Sequence, residues 1–204
     1  MIGNLIIVAA PSGAGKSSLV NAVLNDDVGV RVSVSFTTRM PRTGEVDGRE
    51  YHFIDLPQFK EMAARGAFLE HALVHGNYYG TSCEWIASTR AADMDIILEI
   101  DWQGAKQVRR MFPDAVTVFV LPPSMEELER RLRNRNKDHE QAIRERLANA
   151  VEEIAHLGEF EYVIINNKFD EAKVELGAVV RAARAKREIQ RKRHLKLFSA
   201  FRID

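Results

Sequence analysis

The sequence predicts an α/β protein: a doubly wound parallel sheet carrying a smaller, mixed α+β insertion. Three observations carry this. Continuous apolar runs of strand length recur along the chain, as they do where a parallel sheet is covered on both faces. Each run leads into a segment with apolar residues at helical spacing, the alternation that builds such a sheet. Between about residues 33 and 91 the pattern changes to short alternating runs, aromatics, threonines and glycine turns.

"NLIIVAA" is the first strand, and "KSSLVNAVL" follows as a helix with Leu19, Val20, Val23 and Leu24 on its apolar face. In the inserted stretch "EYHFI" and "AFLEHALVHG" read as short strands, with turns at "RTGEVDG" and "HGNYYG". The strand pattern returns in "DIILEID" (95–101) and "AVTVFVL" (115–121), each followed by a helix, "WQGAKQVRRM" and "SMEELERRLRNR". Ser124 and Glu127 match a capping box at the start of the second. Residues 134–142, "NRNKDHEQA", are polar and predict a mobile surface loop. "YVIIN" (162–166) is the last strand, and one helix runs from about Asp170 into the tail.

The chain has 204 residues, 46% of them hydrophobic, which suits one globular domain with small insertions. Formal net charge is zero, so nothing global favours nucleic acid or membrane. Residues 181–204 do carry nine Lys or Arg against two acids, and a solvated helix face accounts for them. The single cysteine, Cys83, excludes a disulfide within the chain and suits a reducing compartment. The first apolar run is too short to span a membrane and has no basic flank, so a cytoplasmic protein is expected. The six histidines show no metal-ligand spacing, and Trp85 and Trp102 are expected to pack rather than stack on bases.

Between the first strand and first helix lies "AAPSGAGKSS". It fits the phosphate-binding pattern G-x-x-x-x-G-K-[ST] except at Ala10, where the first glycine should stand. The loop would comprise Ala10, Pro11, Ser12, Gly13, Ala14 and Gly15. Gly13 and Gly15 let backbone N–H groups turn onto an anion, and the helix that follows adds its positive end. Lys16 would reach the β and γ phosphates of a nucleotide, and Ser17 would ligate Mg²⁺. Ala10 does no harm if its φ is negative. A chance glycine-rich turn is the competing reading, and the strand and helix on either side weigh against it.

A second anion site is suggested by "SVSFTTRMPRTGEVDGREYHF", where Arg39 and Arg42 stand beside Ser35, Thr37 and Thr38, with Tyr51 downstream. Arginine forks bind phosphate bidentately and hydroxyls complete its oxygens. Two anion sites in one chain point to a phosphorylated acceptor.

Taken in order, "APSGAGKSSL", "SFTTRMPRTGEVDGREYHF", "FLEHALVHGNYYGT", "ILEIDWQGAKQVR", "LERRLRNRN…AIRERL" and "YVIIN" resemble the guanylate kinase family, over about residues 4–185. The resemblance implies a P-loop NTPase-type core (1–32 and 92–204), a helical lid at about 126–150 and a GMP-binding insertion (33–91). It implies transfer of the γ-phosphoryl group from ATP to GMP with Mg²⁺. By similarity, Lys16, Arg39, Arg131, Arg135 and Arg146 serve the transferring group, and Asn166 contacts adenine, followed by Asn167 where the family usually has Asp. "RRLRNR" could equally be a solvated helix face; its spacing selects Arg131 and Arg135 as neighbours on one face, leaving Arg130 and Arg133 to solvent.

Guanine offers N1–H and the N2 amine side by side, and Glu70 could accept both. As the resemblance implies, Ser35 and Thr81 would donate to O6 or N7, and Tyr51 and Tyr79, with Arg39 and Arg42, would hold the GMP phosphate, although core packing accounts for either tyrosine as well. Glu99 and Asp101 share one face at the carboxyl end of their strand, where ligands bind in doubly wound sheets. Asp101 is expected on the guanine or ribose side and Glu99 at the water shell of Mg²⁺. Two readings compete: an inactive guanylate-kinase-like interaction module, and a kinase for another phosphorylated acceptor such as a ribose phosphate. Neither nucleic acid nor membrane is expected as a partner, and a homo-oligomer is left open.

Overall fold

The computed structural model describes residues 3–135 and 140–202, without the side chain of Arg135. The chain opens with β1 (Leu5–Ala9), α1 (Lys16–Asp26) and β2 (Val30–Val32). The middle of the chain holds β3 (Phe36–Thr37), β4 (His52–Phe53), α2 (Leu56–Ala64), β5 (Phe68–Val74), β6 (Asn77–Ser82) and α3 (Cys83–Ala91). Next come β7 (Asp95–Glu99), α4 (Trp102–Met111), β8 (Val116–Leu121), α5 (Met125–Arg135) and α6 (Glu140–Ala155). A 3₁₀ turn at Leu157–Glu159 leads to β9 (Tyr162–Ile165), α7 (Phe169–Ala185), α8 (Arg187–Arg193) and α9 (Leu195–Ala200).

Five strands form one sheet in the order β2-β7-β1-β8-β9, every pair parallel. β1 lies at its centre, and its residues alternate between two cores. Ile6 and Val8 join Leu19, Val23 and Leu176 on one face, while Leu5 and Ile7 join Ile86, Leu98 and Val108 on the other. Burial on both faces is why the strand reads as an unbroken apolar run. A second sheet, ordered β4-β3-β6-β5, is drawn wholly from the inserted stretch and mixes one parallel pairing with antiparallel ones.

The structure departs from the sequence reading at four points. β2 was not legible, because a three-residue edge strand has no period to detect. Residues 134–135 close α5 and residues 140–142 open α6, so the loop expected at 134–142 is helical at both ends; its middle, 136–139, lies outside the described residues. Half of the capping box forms: Glu127 N–H donates to Ser124 Oγ at 3.1 Å, but the Glu127 carboxylate turns to Arg130 and Arg131. Charge-assisted bonds to two guanidinium groups outcompete one bond to a backbone N–H. The tail is not one helix, since α7 ends at Ala185 and two short helices follow. Nor is its basic face wholly solvated: Arg184 pairs with Asp27 and with buried Asp95, and Arg193 with Asp93.

Candidate active site

The loop between β1 and α1 takes the form its glycines allow. Gly13 and Gly15 have φ of 95° and 94°. No other residue from Ala10 to Ser17 has positive φ, Ala10 included, so alanine sits at the loop's start without strain. Ala14 N–H closes the turn onto the Pro11 carbonyl at 3.0 Å. A Cβ on Gly15 would lie 2.4 Å from Asn166 Nδ2, so a side chain here would displace the Asn166 amide as well as strain φ. Ala10→Gly is therefore expected to leave turnover and nucleotide KM unchanged. It should lower stability by about 0.4–1 kcal/mol through the entropy of the unfolded chain. Thermal unfolding beside steady-state kinetics checks both halves.

Three expected donor-side residues gather on this loop. Lys16 Nζ rests 3.5 Å from the Ile100 carbonyl. Ser17 Oγ donates to Glu99 Oε2 at 2.6 Å, which places a hydroxyl and a carboxylate together at the first turn of α1. Asn166, the residue expected at adenine, stands beneath the loop, buried, with its amide donated to the Ala14 carbonyl at 2.8 Å. Arg131 Nη2 donates to the Asn166 carbonyl at 2.9 Å, and Leu128 and Leu132 of the same helix approach Gly13. Thus α5 braces the loop from behind. Arg146 is half-buried on α6, while Arg135 ends α5 with its side chain outside the described residues. Arg130 and Arg133 point to solvent in ion pairs with glutamates, as expected.

Facing the loop across a cleft of about 270 Å³ are Ser35, Arg42, Tyr51, Glu70 and Tyr79, with Glu99 and Asp101 along its floor. A register shift between Phe68 and Glu70 in the β5–β6 ladder turns consecutive residues inward and delivers the Glu70 carboxyl to the cleft. Glu70 is 3% exposed. Buried Thr81 donates to its Oε1 at 2.6 Å, and Ser35 Oγ lies 3.4 Å from the Thr81 hydroxyl. Burial pushes the Glu70 carboxyl up to about 7, with the Thr81 hydrogen bond opposing and the nearby charge of Asp101 adding to the rise. Asp101 also caps α4, accepting from Gly104 N–H at 2.9 Å. Burial and the neighbouring Tyr79 and Glu99 push Tyr51 up to about 12, so its phenol stays protonated and can donate.

Arg39 stands apart from the cleft wall. One of its amino groups bonds both oxygens of Glu45, at 2.8 and 2.9 Å, and its guanidinium lies 5.4 Å from the centre of the Tyr51 ring. Arg42 holds the same Glu45 through its backbone N–H at 2.7 Å.

Four contributors escaped the sequence reading. Glu45 was hidden among surface acids. Gly104 sits inside a helix, where glycine is unfavourable by about 1 kcal/mol; a Cβ there would lie 2.6 Å from Glu70 Oε2, so the missing side chain makes room for the carboxyl. His75 and Glu153, 78 residues apart in the numbering, both line the cleft. Burial pushes Glu153 up to about 7 against the pull of Lys16. Trp102 and Trp85 do pack, Trp102 stacking on His156 with ring centres 3.6 Å apart. Among the described residues no three His, Cys, Asp or Glu side chains are grouped to hold a metal ion, and no helix is long and apolar enough to cross a membrane.

The glycine loop with Lys16 and the side chains of Arg42, Tyr51 and Tyr79 line one cleft. The parallel sheet and the glycine loop at the end of its central strand make this chain a P-loop kinase by class. A family model described as guanylate kinase matches residues 2–183. The guanylate kinase of Dechloromonas aromatica is 57% identical over 198 residues, covering 97% of this chain and 98% of that protein. That of Escherichia coli K12 is 50% identical over 204 residues, 99% of each. The crystal structure of guanylate kinase from Anaplasma phagocytophilum superposes with a TM-score of 0.82 at 32% identity, covering 100% of this chain and 97% of that one. The chain belongs to the guanylate kinase family.

Proposed function

We propose that the loop side of the cleft holds the phosphates of ATP and the opposite side holds GMP, which accepts the γ-phosphoryl group to give GDP and ADP. The chain's membership of the guanylate kinase family supports the reaction. The observation that carries the assignment of sides is Glu70: a buried carboxyl, already bonded to Thr81, across one cleft from Lys16.

The acceptor oxygen belongs to a phosphate and is anionic, so the step needs no strong base. Its barrier is repulsion between polyanions, and two unit charges ~4 Å apart cost about 4 kcal/mol at an effective dielectric of 20. Cations and position must offset several such terms. Lys16 answers the donor phosphates. Arg42, Tyr51 and Tyr79 hold the acceptor phosphate, and Arg39 joins them by exchanging the Glu45 carboxylate for it. Arg131, Arg135 and Arg146 belong to the two helices beside the loop, which act as the lid. Mg²⁺ fits here as a partner of the nucleotide, because Ser17 and Glu99 offer it one hydroxyl and one carboxylate and the phosphates supply the rest. When bound, Mg²⁺ neutralises charge on the donor phosphates. Asn166 holds the loop in shape through Ala14. Residues 33–91 form the GMP-binding unit, and the lone cysteine suits the cytoplasm.

A coupled assay with GMP, AMP, UMP and ribose phosphates tests the reading. Turnover confined to GMP supports it. Turnover with a ribose phosphate, or with none of the four, overturns it.

Ionisation of Glu70 gives a further expectation. Only the carboxylate accepts both guanine donors, and the free cleft holds this carboxyl near 7. Below that pH, GMP must bind with loss of a proton. Its affinity should therefore rise with pH by up to about tenfold per unit below 7 and level off above. Titration calorimetry in buffers of different ionisation heat measures the released proton. Glu70→Gln should abolish that release, leaving the shallower slope of the GMP phosphate itself, whose second ionisation lies at about 6.

A further inference from the structure

The turn joining β5 to β6 has two residues, His75 and Gly76, both with positive φ, 48° and 77°. Such turns match the twist of the strands they join, and Asn, Asp or Gly usually fills them. Gly76 adopts this backbone freely, but His75 does not. Histidine is tolerated in the left-handed region better than most side chains, yet glycine would be easier still. A residue kept in a costly conformation points to work done by its side chain.

The His75 ring reaches across the cleft to α6. Its Nδ1 lies 3.1 Å from Asn149 Nδ2, and its Nε2 lies 3.8 Å from Glu153 Oε1. Asn149 and Glu153 are four apart on one helix and so share a face. Donation by the Asn149 amide to Nδ1 leaves the proton of a neutral ring on Nε2, which faces the carboxylate. The other Glu153 oxygen, Oε2, is buried without a hydrogen-bond partner. Glu153 lines the cleft together with Pro11, Ser12 and Lys16 of the phosphate loop. One residue of α6 therefore meets both sides: the loop through the backbone N–H of Ser12 beside its carboxyl, the hairpin through His75. The same hairpin carries Glu70, Tyr79 and Thr81.

We propose that His75 is a positioning residue, clasping Asn149 and Glu153 so that the β5–β6 hairpin and α6 are held at the spacing that aligns acceptor and donor phosphates. The inference rests on the assignment of the two sides given above. In phosphoryl transfer most of the catalysis is alignment, so a clasp remote from the reacting atoms acts on the rate. It does not touch GMP, and it should leave the binding of GMP alone nearly untouched.

The test exploits the backbone. His75→Gly removes the ring and also relieves the turn, so a merely structural histidine and a positioning one give different results. For the clasp, the thermal midpoint should hold or rise and GMP affinity by calorimetry should stay within about twofold. Meanwhile kcat should fall about fivefold, equivalent to about 1 kcal/mol at the transition state. Asn149→Ala should do the same, and the double variant should be no worse than the single ones, because both remove one interaction. Unchanged kcat in His75→Gly overturns the clasp, as does a loss of GMP affinity equal to the loss of kcat, or additivity in the double variant. Wild-type protein that fails to phosphorylate GMP overturns the assignment of sides and the clasp with it. Wild-type turnover matched by His75→Gly overturns the clasp alone.

Discussion

Lys16→Met should lower kcat by about 10²-fold or more, a few kcal/mol of lost transition-state stabilisation, with the fold intact. Lys16 opens α1 and its amine lies at the floor of the cleft, 3.5 Å from the Ile100 carbonyl. Methionine keeps the length and removes the charge. A charge fixed in place by the fold is preorganised, and a mobile ion does not reproduce it. A second consequence follows from the neighbours. The charge of Lys16 favours the ionised form of both Glu70 and Glu153, opposing the rise that burial imposes. Without it both carboxyls should ionise at higher pH, so what activity remains should have its acid limb shifted upward. Steady-state kinetics across pH on protein shown folded by circular dichroism checks both. Near-normal turnover at the optimum would remove Lys16 from the chemistry.

Base choice should turn on Glu70. The Thr81 hydroxyl donates to Glu70 Oε1 at 2.6 Å, and Oε2 lies over Gly104. In Glu70→Gln the Thr81 donor selects the amide oxygen, which forces the new NH₂ group to the other side. That group then meets guanine N1–H or N2 as donor against donor in a buried pocket. The loss should be about 1–3 kcal/mol or more in kcat/KM for GMP. Adenine has a lone pair at N1 and no amine at the 2 position, so AMP should lose nothing and can gain. Rates with GMP and AMP in both proteins decide it. An unchanged ratio would move base reading to Asp101, Ser35 or Thr81.

Much of this site could be read from sequence because its parts are contiguous. The phosphate loop is one run of residues, and its conformation follows from two glycines and the strand and helix at its ends. The arginine and threonine cluster at 35–42 is likewise local, and Glu70, Tyr79 and Thr81 lie on adjoining strands of one hairpin. Where the reading stopped short, the deciding partner was distant. Arg39 was legible as a cation, but not its hold on Glu45. Asn166 was legible as a strand-end amide, but not its bond to Ala14, 152 positions earlier in the chain.

The sequence by itself determined the class of fold, the central strand with its loop, and the chemical identity of most of the groups that line the cleft. These depend on period, on backbone freedom and on residue type, which neighbours in the chain share. Only the tertiary structure decided that Ala10 needs no positive φ, that Gly104 is absent a side chain to admit Glu70, and that Glu70 and Glu153 are held near neutral pH. It alone brought His75 onto α6. Burial, close approach and charge depend on what packing brings together from far along the chain, and a linear pattern carries no record of those distances.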